Sequence, residues 1–376
     1  FANEVNLVTG GLSDSLKLYP RVDGGYRFVS EVHLRYIYEN AAEAVELMKQ
    51  MLFHSKFDDK KRILEILQQE RAQQLVRINN SGNAAASLRA TSYFSEPAKI
   101  TDDISGITYY YYLKEFEDHF DERIDDFIEN VKKLQSKVFR QENMIVSTTG
   151  DNNALALAKL EIPGIVEELC SEEIPETKLE VSCEKKNEGF KTAAMIQYVG
   201  RAGDFKSAGF DYSGAMKILK VILSYDYFWI NIRVKGGAYG CSSNFARSGN
   251  LMFSSYRDPN LSATNDIFEG TDKYLQNFEV DERDMTKYII GTISGMDTPL
   301  TPFQNGMRSF TAYMTGNNIN LLQKERDEVI DATPEDIKHL AAPIRAALDQ
   351  GYICVVGNEN TIEDEKELFE NILQLV

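Results

Sequence analysis

Histidine is scarce in this chain, and its four histidines are scattered: His33, His54, His119 and His339. No two lie within five residues of each other, and none follows directly on a Glu. Zinc peptidase motifs such as H-E-x-x-H or H-x-x-E-H need two His one helical turn apart, so that both rings reach one metal while the Glu serves as base. A self-contained catalytic zinc site is therefore not expected, no metal ligand is assigned, and each His reads as a strand-face or helix-surface residue. Cysteine is also sparse. Cys170, Cys183, Cys241 and Cys354 form no C-x-x-C, which argues against a zinc ribbon or a dense disulfide framework. A reducing compartment is the simpler reading, with a Cys170–Cys183 pairing left open. No apolar run reaches 18 residues, so a membrane-crossing helix is not expected. Positive charge is in deficit: 41 Lys and Arg against 58 Asp and Glu leave a net charge of −17. Nucleic acid is thereby a poor partner, because phosphate contacts need clustered basic residues. The acidity reads as like-charge solubility, with an acidic wall for basic peptides as the alternative.

Nucleophile and phosphate motifs are missing too. There is no G-x-S-x-G and no P-loop, and Gly200-Arg-Ala-Gly203 is too short for a dinucleotide fingerprint. Cys241 has no His base indicated beside it and reads as strand packing. The linker glutamates lack the order of a calcium loop, and the run Tyr109–Tyr112 reads as mixed core and surface. The chain begins with Phe and no basic-then-apolar leader opens it; residue 1 reads as a processed or internal end.

What is present is a repeat. At 376 residues and 43% hydrophobic content, the chain has material for more than one domain. One pattern occurs twice. In the fuller second copy, 190–199 reads as a strand and 212–232 as a long helix with Ile218, Leu219, Ile222 and Leu223 on one side. A Gly-Gly pair and a hairpin around Ser248-Gly249 follow, then helices near 260–277, 282–294, 303–315, 319–330 and 334–348, and a strand over 352–356 ended by Gly357-Asn358. The first copy has Thr9-Gly10-Gly11, a hairpin around Asp23-Gly24-Gly25, helices near 41–54, 59–79, 84–94 and 107–140 (the last broken once), and a strand over 144–148 ended by Gly150-Asp151. About 45 residues precede the second Gly-Gly within its copy but only ten precede Gly11, so the first copy is expected to lack a strand and a helix at its start. The predicted class is α+β: two related αβ domains, each with helices packed on one face of a largely antiparallel sheet. The expected boundaries are 1–151, an acidic linker over 152–188 punctuated by Pro163 and Pro175, and 189–376.

The segment with most chemistry is Arg233-Val-Lys-Gly-Gly-Ala-Tyr-Gly240. Arg233 offers a planar fork of donors for a carbonyl or carboxylate. Tyr239 has a hydroxyl able to donate to a developing oxyanion. Gly236 and Gly237 allow close backbone approach between them. The structural alternative has Arg233 capping a helix C-terminus and Tyr239 anchoring a strand.

This segment resembles the C-terminal signature of the presequence-protease and falcilysin type of zinc metallopeptidase, within the pitrilysin/insulinase superfamily. Further similarity lies in Asn83–Phe94, Ile104–Ile107, Thr149–Asp151, Ser255–Leu261 and Gly295–Leu300, so that it spans essentially the whole chain. The resemblance implies four αβ domains in two halves, with this chain supplying the third and fourth. It implies that zinc belongs to an absent N-terminal half and that this half binds no cofactor of its own. Arg233 and Tyr239 match the family's catalytic Arg and Tyr, which hold substrate and stabilise the tetrahedral intermediate; Gly236, Gly237 and Ala238 fall at its substrate-binding segment. The partners implied are the zinc-binding half and unstructured peptides, with no nucleic acid and no membrane. Alone, the chain is expected to be inactive. The alternative is a binding or scaffold subunit that has lost catalysis. A bacterial cytoplasm is the first expectation for its compartment and an organelle matrix the second.

Overall fold

The computed structural model describes residues 1–172 and 179–375. Helix α1 (Ala2–Val8) leads through Gly10 into the antiparallel hairpin β1 (Gly11–Pro20) and β2 (Tyr26–Arg35). Seven helices follow: α2 (Ala41–Phe53), α3 (Lys60–Asn80), α4 (Gly82–Ser92), α5 (Glu96–Ser105), α6 (Ile107–Asp118), α7 (Phe120–Val138) and α8 (Asn152–Val166). The second copy opens with β3 (Glu188–Thr192), β4 (Gln197–Asp204) and α9 (Ala215–Ile222). After the hairpin β5 (Gly240–Phe245) and β6 (Asn250–Tyr256) come α10 (Ser262–Glu269), α11 (Thr271–Gln276), α12 (Glu282–Met296), α13 (Pro302–Thr315), α14 (Ile319–Ile330), α15 (Pro334–His339) and α16 (Ala341–Leu348). Strand β7 (Tyr352–Asn358), α17 (Glu359–Asp364) and β8 (Asn371–Gln374) finish the chain. The order β5-β6-β4-β7-β3-β8 makes one six-stranded sheet, with only β3 parallel to its neighbours. The class is α+β, with two related αβ units as the repeat implied.

Period-two alternation splits the buried strand residues between two cores. Val199, Leu251, Phe253, Ile353 and Val355 face α9 and the second copy's own helices. Phe190, Tyr198, Ala202, Cys354 and Val356 face the other way, onto Ile78, Ala86, Ala90, Tyr93, Ile107 and Tyr110 of the first copy. Helix α4 lies directly on β4, where a Cβ added at Gly200 would meet the Ala86 backbone at 2.7 Å. The glycine is what allows that approach. A buried charge network ties the same seam. Arg89 of α4 donates to Glu188 of β3 at 2.6 and 2.9 Å and to Asp102 at 2.7 Å.

The arrangement is reciprocal. Helix α13 of the second copy lies on the first copy's hairpin, where Phe310 meets Tyr19 edge-on, and Arg27 and Arg35 stack on Tyr313 and Phe303. The repeat is also visible in its caps. Asp151 caps α8 by accepting from the backbone N–H of Asn153 and Ala154, and Asn358 caps α17 in the same way from Asn360 and Thr361.

Several expected elements differ. The strand over 190–199 is two strands, β3 and β4, which flank β7 on opposite sides. The connection passes over the end of β7, where Asn358 Nδ2 donates to the Ala194 carbonyl at 2.8 Å. The strand expected over 144–148 joins no sheet among the described residues, because no neighbour supplies its ladder. The expected linker begins with helix α8, while its Glu173, Pro175 and Glu176 lie outside the described residues. The helix over 334–348 breaks at Leu340, while that over 107–140 breaks once, at His119, as expected. Helices α5 and α17 and strand β8 were not expected.

Candidate peptide-binding site

Apolar spacing builds the helix that carries the site. Ala215, Met216, Ile218, Leu219 and Ile222 bury one side of α9. The helix then continues in π-helical form over Leu223–Tyr227 and Trp229–Lys235. Such widened turns often mark functional positions. Phe228 and Ile232 stay fully buried, while Trp229, four residues before Arg233, is 40% exposed.

The Gly-Gly pair then turns the chain. A Cβ at Gly236 would sit 2.5 Å from the Ile232 carbonyl oxygen, and Gly237 adopts φ +84°. The Gly237 N–H donates to the Arg233 carbonyl at 3.0 Å, which is an αL helix cap. Gly11, the second glycine of the first copy's pair, also has positive φ. Ala238 is buried against the core with its N–H on the Ile232 carbonyl at 3.1 Å. The Gly236 carbonyl accepts from Asn260 Nδ2 at 2.6 Å. These contacts aim the next residue outward.

Tyr239 is 65% exposed, and its N–H donates to the carbonyls of Tyr256 and Arg257 at 3.1 and 3.3 Å. It stands just before β5, the edge strand of the six-stranded sheet. The Arg233 guanidinium lies 4.1 Å from the centre of the Trp229 ring and 5.4 Å from that of Tyr239. Among the described residues no carboxylate pairs with it and no side-chain hydrogen bond fixes it. Two ring faces hold it, and its N–H edge is left for another acceptor. The structure thus brings Arg233 and Tyr239 together.

The spacing argument missed three neighbours. Trp229 is the chain's single Trp and stacks on Arg233; an aromatic four residues before an Arg on one helix was the signal available. Tyr256 packs edge-on to Tyr239 at 5.8 Å and donates to the Asn80 carbonyl at the end of α3 at 3.3 Å. Arg257 has φ +49°, uncommon for a residue with a side chain, and its guanidinium lies 5.5 Å from the centre of the Tyr256 ring.

The flanking groups are chemically quiet. Burial pushes the Cys241 thiol up to about 11 despite the opposing Arg233 charge. Asp258 is fully buried, accepts from Thr264 and from the Asn260 N–H at 2.7 and 2.9 Å, and is raised by its burial. Among the described residues no three His, Cys, Asp or Glu side chains could share a metal. All four cysteines are unpaired, and no helix among the described residues is long and apolar enough to cross a membrane.

With this geometry in view, comparison with known proteins is informative. Residues 187–359 match the PreP C-terminal domain family, and residues 1–116 match the family of domains associated with M16 peptidases of subfamily C. The chain is 34% identical to Protein HypA of Clostridium perfringens over its whole length, covering 38% of that protein. It is 28% identical to Presequence protease 1, chloroplastic/mitochondrial, of Arabidopsis thaliana over 86% of this chain and 30% of that one. The chain therefore spans well under half the length of these curated relatives. Among solved structures, a protease from Helicobacter pylori superposes with a TM-score of 0.63 at 15% identity, covering 94% of this chain and 83% of that one. A peptidase M16 inactive domain from Pseudomonas fluorescens gives 0.55 at 14% identity over 92% and 81%. At such identities these two likenesses speak to fold alone.

Proposed function

This chain belongs to the presequence-protease type of the pitrilysin superfamily, and from that premise we propose that it is the non-zinc half of a peptide-degrading metalloendopeptidase. Residues 1–151 and 189–376 are its third and fourth αβ domains. The zinc-binding half belongs to the same polypeptide, and this half closes the substrate chamber over unstructured peptides. Its own residues bind and orient. Arg233 holds a substrate carbonyl or carboxylate, the Tyr239 hydroxyl donates to the oxyanion that develops on the attacked carbonyl, and the turn made by Gly236, Gly237 and Ala238 sets the height at which the peptide passes.

The observation that carries this reading is the Arg233 guanidinium, held by Trp229 and Tyr239 with no acceptor among the described residues, beside the exposed Tyr239. Arg89, by contrast, ends on the carboxylates of Glu188 and Asp102.

The test is reconstitution. The chain alone cleaves no peptide, and mixing it with the zinc-binding half restores cleavage. Within that complex Tyr239→Phe lowers kcat by about 10²–10³, the size of a lost oxyanion donor, and leaves KM nearly unchanged. A Tyr239→Phe enzyme at full strength rejects the oxyanion role. A reconstituted complex without any activity favours a scaffold subunit instead. A bacterial cytoplasm is our reading of its compartment, supported by the unpaired cysteines and checked by fractionation of the producing cells.

A further inference from the structure

The surface around Tyr239 carries charge opposite to that of the molecule. The chain has a net charge of −17, and most of its arginines sit beside carboxylates. Arg233 and Arg257 do not: neither is in an ion pair among the described residues. The side-chain partners of Arg257 are the hydroxyls of Tyr256 and Tyr198, which leave its charge unbalanced. Among the described residues Lys235, one helical turn from Asn231, meets only that residue's side-chain oxygen, at 3.2 Å. The acid next to Arg257, Asp258, is fully buried and already accepts from Thr264 and the Asn260 backbone, and Asp226, two turns before Arg233, accepts from the Tyr288 hydroxyl. Among the described residues neither forms an ion pair with these cations.

The two arginines are also linked through a series of ring contacts. The Arg233 guanidinium is 5.4 Å from the Tyr239 ring centre, the Tyr239 and Tyr256 centres are 5.8 Å apart, and the Arg257 guanidinium is 5.5 Å from the Tyr256 centre. The backbone locks this order, because the Tyr239 N–H is shared between the carbonyls of Tyr256 and Arg257. Arg257 holds its position in the left-handed region, a conformation disfavoured for a residue with a Cβ and kept only where the surroundings impose it. A guanidinium thus contacts each member of the Tyr239–Tyr256 pair, so Arg257 lies one ring contact beyond Tyr239.

We propose that Arg257 is a second substrate-contacting residue which, with Arg233, makes a carboxylate-recognising strip. The half therefore prefers peptides bearing a carboxylate close to the bond held at Tyr239. This rests on the reading that Tyr239 faces substrate. The carboxylate comes either from a Glu or Asp side chain or from the peptide's C-terminus; both present the same two-oxygen acceptor to a guanidinium fork. A guanidinium stacked on a ring face keeps N–H donors at its rim, and five such donors are more than the tyrosine hydroxyls beside Arg257 can take up.

The single Trp makes the test direct, since Trp229 contacts Arg233 and reports its occupancy by fluorescence. The 376-residue chain is titrated with four unstructured decapeptides of one sequence: Glu or Gln at the central position, each with a free or amidated C-terminus. The expected result is binding about tenfold tighter for a carboxylate-bearing peptide than for the Gln amide, weakening as salt rises. The Glu amide and the Gln free acid tell the two sources apart. Arg257→Gln erases the preference, Arg257→Lys keeps part of it, and Arg233→Gln weakens all four peptides. Equal affinity for all four overturns the carboxylate strip and leaves the peptide-handling reading standing. No binding of any peptide overturns both. If Arg257→Gln lowers the melting temperature while leaving the preference intact, Arg257 serves the carbonyl end of α3 through its tyrosine partners and the inference fails.

Discussion

At the residue scale, Cys241 shows how the surroundings of the site decide chemistry that residue type alone leaves open. Its thiol lies two residues from Tyr239 and within the field of Arg233, which favours a thiolate. Burial outweighs that cation, and the thiol is raised from its ordinary value to about 11. The sign is clear: the folded protein holds this proton more tightly than an unfolded chain does, so thiolate forms only as pH approaches 11. Labelling of Cys241 by a thiol reagent at pH 8 is therefore expected to run about a hundredfold slower than that of a free thiol, rising with pH. Arg233→Ala removes the one cation that favours the thiolate and slows labelling further. Rapid labelling at pH 7, measured by mass spectrometry of the peptide containing Cys241, would reverse the assignment. Arg233 and Tyr239 were legible in the sequence because a Gly-Gly pair between a donor fork and a hydroxyl is unusual. Trp229 and Arg257 were not. A lone Trp on an apolar helix reads as core, and a positive φ on an arginine leaves no compositional trace.

At the scale of elements, α4 packed on the six-stranded sheet joins the two copies through a shared core. The apolar helix patterns and both hairpins were readable, because each depends on neighbours in sequence, whereas Asp151 and Asn358 read only as strand ends and not as the helix caps they are. The seam was not readable, since Gly200 and Ala86 are distant in sequence and their approach is set by the missing Cβ. Gly200→Val is expected to destabilise the chain by about 1–3 kcal/mol, read as a lower urea midpoint with an unchanged slope, because the valine must push α4 off β4. The charge network tests the same seam differently. Arg89→Met leaves Glu188 and Asp102 buried without their cation, and about 3–5 kcal/mol is expected to be lost in the same assay. A loss below about 1 kcal/mol in both variants would mean that the copies fold independently and merely touch.

For the whole molecule, the repeat is most informative where its two copies differ. In the second copy β6 pairs on one side with β5 and on the other with β4, and β4 in turn pairs with β7. In the first copy the same positions belong to β2 and to residues 144–149, yet β2 pairs only with β1 and 144–149 pairs with nothing among the described residues. Helix α13 nevertheless covers both: Phe303, Phe310 and Tyr313 touch the hairpin, and Gly306 packs closely on Thr149. Helix α4 relates to its own sheet in the same sense. Tyr256, at the end of β6, meets Asn80 just ahead of α4, and Asn250, at the start of β6, meets Ser95 just beyond it. Likewise Arg35, at the end of β2, meets Phe303 near the start of α13, and Arg27 meets Tyr313 near its end. The layout under α13 is thus that of a sheet without its middle strand, as the proposed third domain requires. Hydrogen exchange gives the measurement. Val199 and Val355, fully buried in paired strands, are expected to exchange slower than Ile145 and Val146 by on the order of a thousandfold or more. Adding the proposed zinc-binding half is expected to slow exchange at 144–149 and along the open edge of β2, because a strand then supplies both ladders. Exchange at those amides that stays fast in the active complex would show that 1–151 is complete as it stands, and the domain assignment would have to be redrawn around a two-stranded unit.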